Sequence, residues 1–218
     1  MKTLLAILLA LASTNSLAAE LAAVRGGNHL GAQLQGTSLP ESFARDLTSG
    51  LTNRLLIRLT LHQAARELRA RSVEIAIRYD LWDETFTMTS TMDGVSVETS
   101  TYQDAQQVIR KLQQITFAEL FPTSSLPADI ELVMRAVVLL NPIDRERMEA
   151  IRKWVARNNK RSSLDPAGAL SVGDASVSSA IMERIFEQYA SGADVAAAWQ
   201  QTLTSQPFRL GSLPNESR

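Results

Sequence analysis

Across residues 54–62 apolar and polar side chains alternate. Leu55, Ile57, Leu59 and Leu61 share one face, and Arg54, Leu56, Arg58, Thr60 and His62 share the other. Alternation of this kind predicts a strand with one buried and one mostly solvated face. Residues 63–71 are basic and Ala-rich and read as an excursion, with a helical turn as one form of it. A second strand carries Val73, Ile75, Ile77, Tyr79 and Leu81 on one side, against Glu74, Arg78 and Asp80. In the third, Phe86, Met88 and Met92 point inward, and Thr85, Thr87, Thr89 and Thr91 form a polar stripe. Asp93-Gly94 then predicts a type I′ hairpin, because both central residues must take positive φ. Val95, Val97 and Thr99 begin the returning strand, which completes an antiparallel meander with one wet face.

Ahead of the meander, residues 32–36 read as a short strand, and helical spacing appears around the meander. Ser38 with Glu41 has the form of a capping box, Phe43 and Leu47 are an apolar face, and Gly50 stands where a C-cap glycine belongs. Thr101 to Asp104 resembles a second capping box. Ala105, Val108, Ile109, Leu112 and Ile115 follow it and predict a helix that covers the sheet. Residues 122–127 read as a loop. Residues 130–140 are apolar on nearly both faces and predict a central strand. Asn141 and Pro142 open a further helix over 143–158, with Met148, Ile151 and Val155 as its buried stripe. The fold class expected is therefore α+β: an antiparallel sheet of five or six strands covered on one side by two helices, with a C-terminal helical tail. Its divisions are a signal peptide at 1–18, a flexible lead-in at 19–31, the α+β domain at 32–161, a Ser/Ala/Gly/Asp-rich linker at 162–176 and the tail at 177–218. In the tail, residues 178–189 form an amphipathic helix with Ile181, Ile185 and Phe186. A weaker helix is expected over 193–202.

The N-terminus changes the picture most. Lys2 is a positive n-region, Leu4 to Ala12 is an unbroken apolar run, and Ser16 and Ala18 occupy the small-residue positions that signal peptidase reads. The run is too short to span a bilayer. With no Cys after the leader, a lipid anchor is excluded, and no later segment has the composition of a transmembrane helix. The chain has 22 Lys+Arg against 23 Asp+Glu, and losing the leader removes Lys2 alone. Near-neutrality gives nucleic acid no electrostatic hold, and export argues against it as well. Zero Cys means that an ordinary core, not a disulfide scaffold, must stabilise the fold.

Candidate chemistry is sparse, and no catalytic, cofactor-binding or metal-binding residue is nominated. There is no Gly-x-Ser-x-Gly elbow; Ser171 misses that spacing by one place. His29 falls in the lead-in and His62 on an exposed strand face. Asp80, Asp83 and Glu84, with Asp93 one strand further on, could gather a hard cation, but acids in a turn explain the same pattern. Trp82 is expected on the wet face with Asp80 and Arg78, where it can anchor a partner or fold over the sheet edge. The basic helix carries Arg145, Arg147, Arg152, Lys153, Arg157, Lys160 and Arg161 against Asp144, Glu146 and Glu149. Anionic lipid head groups are one partner for it, and a solvated face is the plainer reading. The residues singled out for partner binding are Trp82, Asp80, Arg78, Ile181, Ile185 and Phe186.

The run from Leu39 to Leu61, the string Ile77-Arg78-Tyr79-Asp80-Leu81-Trp82-Asp83-Glu84 and the Asp93-Gly94 hairpin together resemble a family of uncharacterised exported proteobacterial proteins. That family is classed only as a domain of unknown function, and the likeness covers residues 34–160. The resemblance implies a small periplasmic α+β domain and transfers no catalytic or ligand residue. The function expected is a non-enzymatic binding or accessory module of the envelope, meeting an envelope protein or an anionic lipid surface. The alternative is a hydrolase or metal-dependent enzyme using His62 with Asp80, Asp83 and Glu84. Export has a direct test: N-terminal sequencing of the mature protein should begin at Ala19 or Glu20, and an intact Met1 would refute the leader.

Overall fold

The computed structural model describes residues 19–142, 179–190 and 197–213. Nine strands dominate it, in two antiparallel sheets. The larger sheet grows from the alternating segments: β3 (Asn53–Gln63), β4 (Arg66–Asp80), β5 (Thr85–Met92) and β6 (Val95–Tyr102) follow one another as the expected meander. β8 (Val133–Leu140) pairs with β3 on one side and β9 (Trp199–Thr204) on the other, giving the order β6-β5-β4-β3-β8-β9. The smaller sheet has the order β1-β2-β7, from β1 (Glu20–Gly26), β2 (His29–Gln35) and β7 (Gln114–Pro122). Three helices accompany them among the described residues: α1 (Phe43–Leu47), α2 (Ala105–Gln113) and α3 (Ser179–Ala190).

The α+β expectation is thereby corrected. A second sheet supplies most of the cover that two helices were to provide; of its strands only β2 overlaps a segment expected as a short strand, 32–36. Residues 19–31 are not a flexible lead-in. Gly27 (φ +56°) makes the β1–β2 turn, and a Cβ on Gly31 would lie 2.3 Å from the Phe117 carbonyl oxygen. Both glycines are therefore marks of structure, a turn and a close strand approach. The helix expected through Ile115 stops at Gln113, and Ile115 and Phe117 begin an alternating strand instead. Residues 63–71 make a tight hairpin in place of a helical turn, with Ala64 at φ +52°. The C-terminal stretch of the weaker helix expected over 193–202 is β9. Ser42 and Asp104, not Ser38 and Thr101, are the N-cap residues of α1 and α2; the Asp104 carboxylate accepts from the Gln107 N–H at 2.8 Å. The helix expected over 143–158 and the linker at 162–176 lie outside the described residues.

Two apolar clusters hold the assembly. The main one joins the inner faces of both sheets to α1 and α2, including Leu30, Leu34, Phe43, Leu55, Ile57, Leu112 and Phe121. The second lies on the opposite face of the large sheet, where Leu56 and Leu139 meet Met182, Ile185 and Phe186 of α3. Leu56, on the face expected to be mostly solvated, is fully buried. The stripe of α3 is thus docked on its own sheet, and the Arg58–Glu183 ion pair borders that contact. A polar clasp fixes one end of β3: the Asn141 side chain accepts from the Arg54 N–H at 2.7 Å and donates to Asn53 at 2.9 Å. Asn141 takes φ +47°, a conformation Asn tolerates better than most residues.

Asp93 (φ +48°) and Gly94 (φ +86°) adopt the double positive-φ geometry expected of the hairpin. Gly94→Val should cost about 1 kcal/mol or more in urea unfolding; unchanged stability would place the turn elsewhere. Phe186→Ala should cost about 3 kcal/mol, as for a buried ring removed from a packed contact. A loss within error of zero would detach α3 from the core.

Candidate functional site

A groove opens on the inner face of the large sheet, where the small sheet fails to cover it. β1 lies against β8 and β9, and the Arg71 guanidinium donates to the Leu120 carbonyl at 3.2 Å, which sets β7 over β4. The inner faces of β5 and β6 therefore extend past the small sheet, and α2 lies over only part of them. What is left is a cleft of about 500 Å³. Its floor is Ile75, Met88, Ser90 and Met92, which project on one face because they alternate along paired strands.

One wall is β7. Five consecutive residues, Ile115, Thr116, Phe117, Ala118 and Glu119, line the cleft. A strand contributes consecutive residues in this way when its edge, and not its face, borders the space. Among the described residues β7 pairs only with β2, so the edge turned to the cleft has no strand beside it. Lys111 and Leu112 of α2 line it too. The remaining side is β6, where a bulge inserts Val97 between the pairs Ser90–Glu98 and Thr91–Ser96. Bulges re-aim side chains, and Val97 lines the cleft while staying 62% exposed. The groove thus joins an apolar floor to a strand edge that no other described strand pairs. Its named charges are Lys111, Glu98 and Glu119. Such a lining offers burial and hydrogen bonding.

The residues singled out from sequence fall in three other places. Asp80 ends β4, and its carboxylate accepts from the backbone N–H groups of Trp82 (2.9 Å) and Asp83 (3.2 Å). Those two bonds hold the Asp80 carboxyl below the usual carboxylate range. Leu81 to Glu84 form the turn, and Trp82 is 95% exposed, so it does not fold over the sheet edge. Because the strand stops at Asp80, Trp82 projects from a turn and not from the wet face expected for it. Arg78 is exposed on β4. Ile185 and Phe186 are buried against Leu56 and Leu139, which removes both from any partner surface; the side chain of Ile181 lies outside the described set. His62 sits beside the opposite end of β4, paired with Glu67, with its ring Nε2 2.9 Å from the Thr60 hydroxyl. At about 3.3 Å of rise per residue, His62 and Asp80 stand roughly 40 Å apart. The structure does not bring the proposed base and the proposed acids together. His29 borders a separate shallow pocket with Arg25, and Ser171 lies outside the described residues.

Sequence reading assigned Met88 and Met92 inward; it did not show that Met88 is buried in the main core while Met92 stays only partly buried at the cleft. The alternation of Ile115 and Phe117 with Gln114, Thr116 and Ala118 was the available signal. No described helix is long and apolar enough to cross a membrane. Set against protein-family models, curated proteins and solved structures, the chain finds no match.

Proposed function

We propose that this chain is a non-enzymatic binding module of the bacterial envelope, and that its groove receives an extended, apolar peptide segment from a partner protein. The leader and the absence of Cys support the envelope assignment. The observation that carries the binding reading is an edge of β7 that no other described strand pairs, beside a cleft lined by the partly buried Met92 and the exposed Val97. A strand laid along Ile115 to Glu119 would add to the small sheet, as in β-strand addition. Its backbone would pair with β7, and its alternate side chains would cover Met92 and Val97. Five residues of strand span about 17 Å, so the groove suits a short segment. Methionines suit a surface that must fit varied side chains, because the thioether chain is unbranched and flexible. A lipid chain would use the floor but leave the β7 backbone unpaired, which makes peptide the better complement.

Panning a displayed random-peptide library on the full chain tests this. The peptides enriched should alternate apolar and polar residues, and they should bind the Val97→Arg variant about tenfold more weakly. Val97 is exposed, so that variant keeps its fold. Peptides without alternation, or equal binding to both proteins, would overturn the proposal.

A further inference from the structure

The turn between β4 and β5 carries a second exposed apolar surface, independent of the groove. Trp82 is 95% exposed, Leu81 67% and Leu51 61%. Leu81 reaches back to the Gly50–Leu51 corner: a Cβ on Gly50 would lie 3.7 Å from its Cδ1. The pairing of Asn53 with Ile77 brings the approach to β3 and the end of β4 to the same end of the sheet. Three large apolar side chains therefore crown one corner of the molecule.

This corner is built to hold its shape. Asp80 ties down the N–H groups of Trp82 and Asp83, and Glu84 takes φ +51° to close the turn. Beneath it Tyr79 and Phe86 pack ring to ring at 4.7 Å. The tethered backbone fixes where Trp82 is presented, and Trp is among the residues that most often anchor interfaces. Asp80, Asp83 and Glu84 stand around the apolar tip, with Arg78 the nearest cation along β4. Anionic lipid would repel these carboxylates, and a bilayer surface would desolvate them without supplying a counter-charge. A protein socket with an apolar floor and a rim of Lys or Arg would satisfy both parts.

We infer that the Trp82 turn is a docking surface for a partner protein whose apolar socket is rimmed by cations. The test places a photo-crosslinking amino acid at position 82 of the full chain, in the cells that produce it. The result expected is one protein adduct, mapped to an apolar site flanked by Lys or Arg. Its yield should fall about tenfold in the Asp83→Lys/Glu84→Lys variant and at roughly 0.5 M salt, where rim charges are screened. An adduct on a second copy of the chain, or an adduct indifferent to charge and salt, would overturn the inference. So would the absence of any protein adduct, or sedimentation of the purified chain with phosphatidylglycerol vesicles that is lost in Trp82→Ala.

Discussion

Six strands set side by side present an inner face roughly 29 Å wide, and three strands cover about half of that. The inner face of the large sheet is apolar along most of its strands, so this mismatch of width governs everything else in the molecule. Leu55, Ile57, Leu59, Leu61, Met134, Ala136 and Val138 lie under the small sheet and its flanking helices and are fully buried. α1 and α2 extend the cover, and Val108 and Leu112 of α2 are buried in doing so. Cover then runs out over Met92 and Val97. The groove is the remainder left by this geometry, and the apolar lining and open strand edge have the same origin.

The opposite face of the large sheet meets the same demand differently. Leu56 and Leu139 point away from the main core, and α3 buries them with Met182, Ile185 and Phe186. Arg58 lies 6.0 Å from the centre of the Phe186 ring and pairs with Glu183, so the edge of that contact is polar. α3 is therefore part of the fold, and the groove and the Trp82 turn both lie away from it. They lie toward opposite ends of β5, with Phe86 near the turn and Met92 in the groove. A single short strand connects them.

Local alternation made much of the large sheet legible. The meander from β3 to β6 and the Asp93-Gly94 turn are written in the alternation of side chains and in turn chemistry, and the interior place of β8 in a run apolar on nearly both faces. Of the small sheet only part of β2 was legible, as the short strand over 32–36, because the other signals are ambiguous at short range. Gly26-Gly27 reads equally as slack chain or as a hairpin turn, and only pairing with β7 decides between them. Ile115 satisfies the helical spacing of α2 and the alternation of β7 at once. The groove was illegible for a deeper reason: a sequence shows that Met88 faces inward, but the extent of cover depends on how two sheets overlap. Trp82 was legible as unusual, and its exposure follows from Asp80 ending the strand.

The central claim is that the edge of β7 bordering the groove is open. Amide hydrogen exchange on the free, full-length chain measures this directly. The account predicts that amides of β7 on that edge, between Thr116 and Glu119, exchange fast. Those of β2, which has a strand on both sides, should exchange slowly. Uniform protection along β7, equal to that of β2, would contradict it, because the groove would then already have a strand in place.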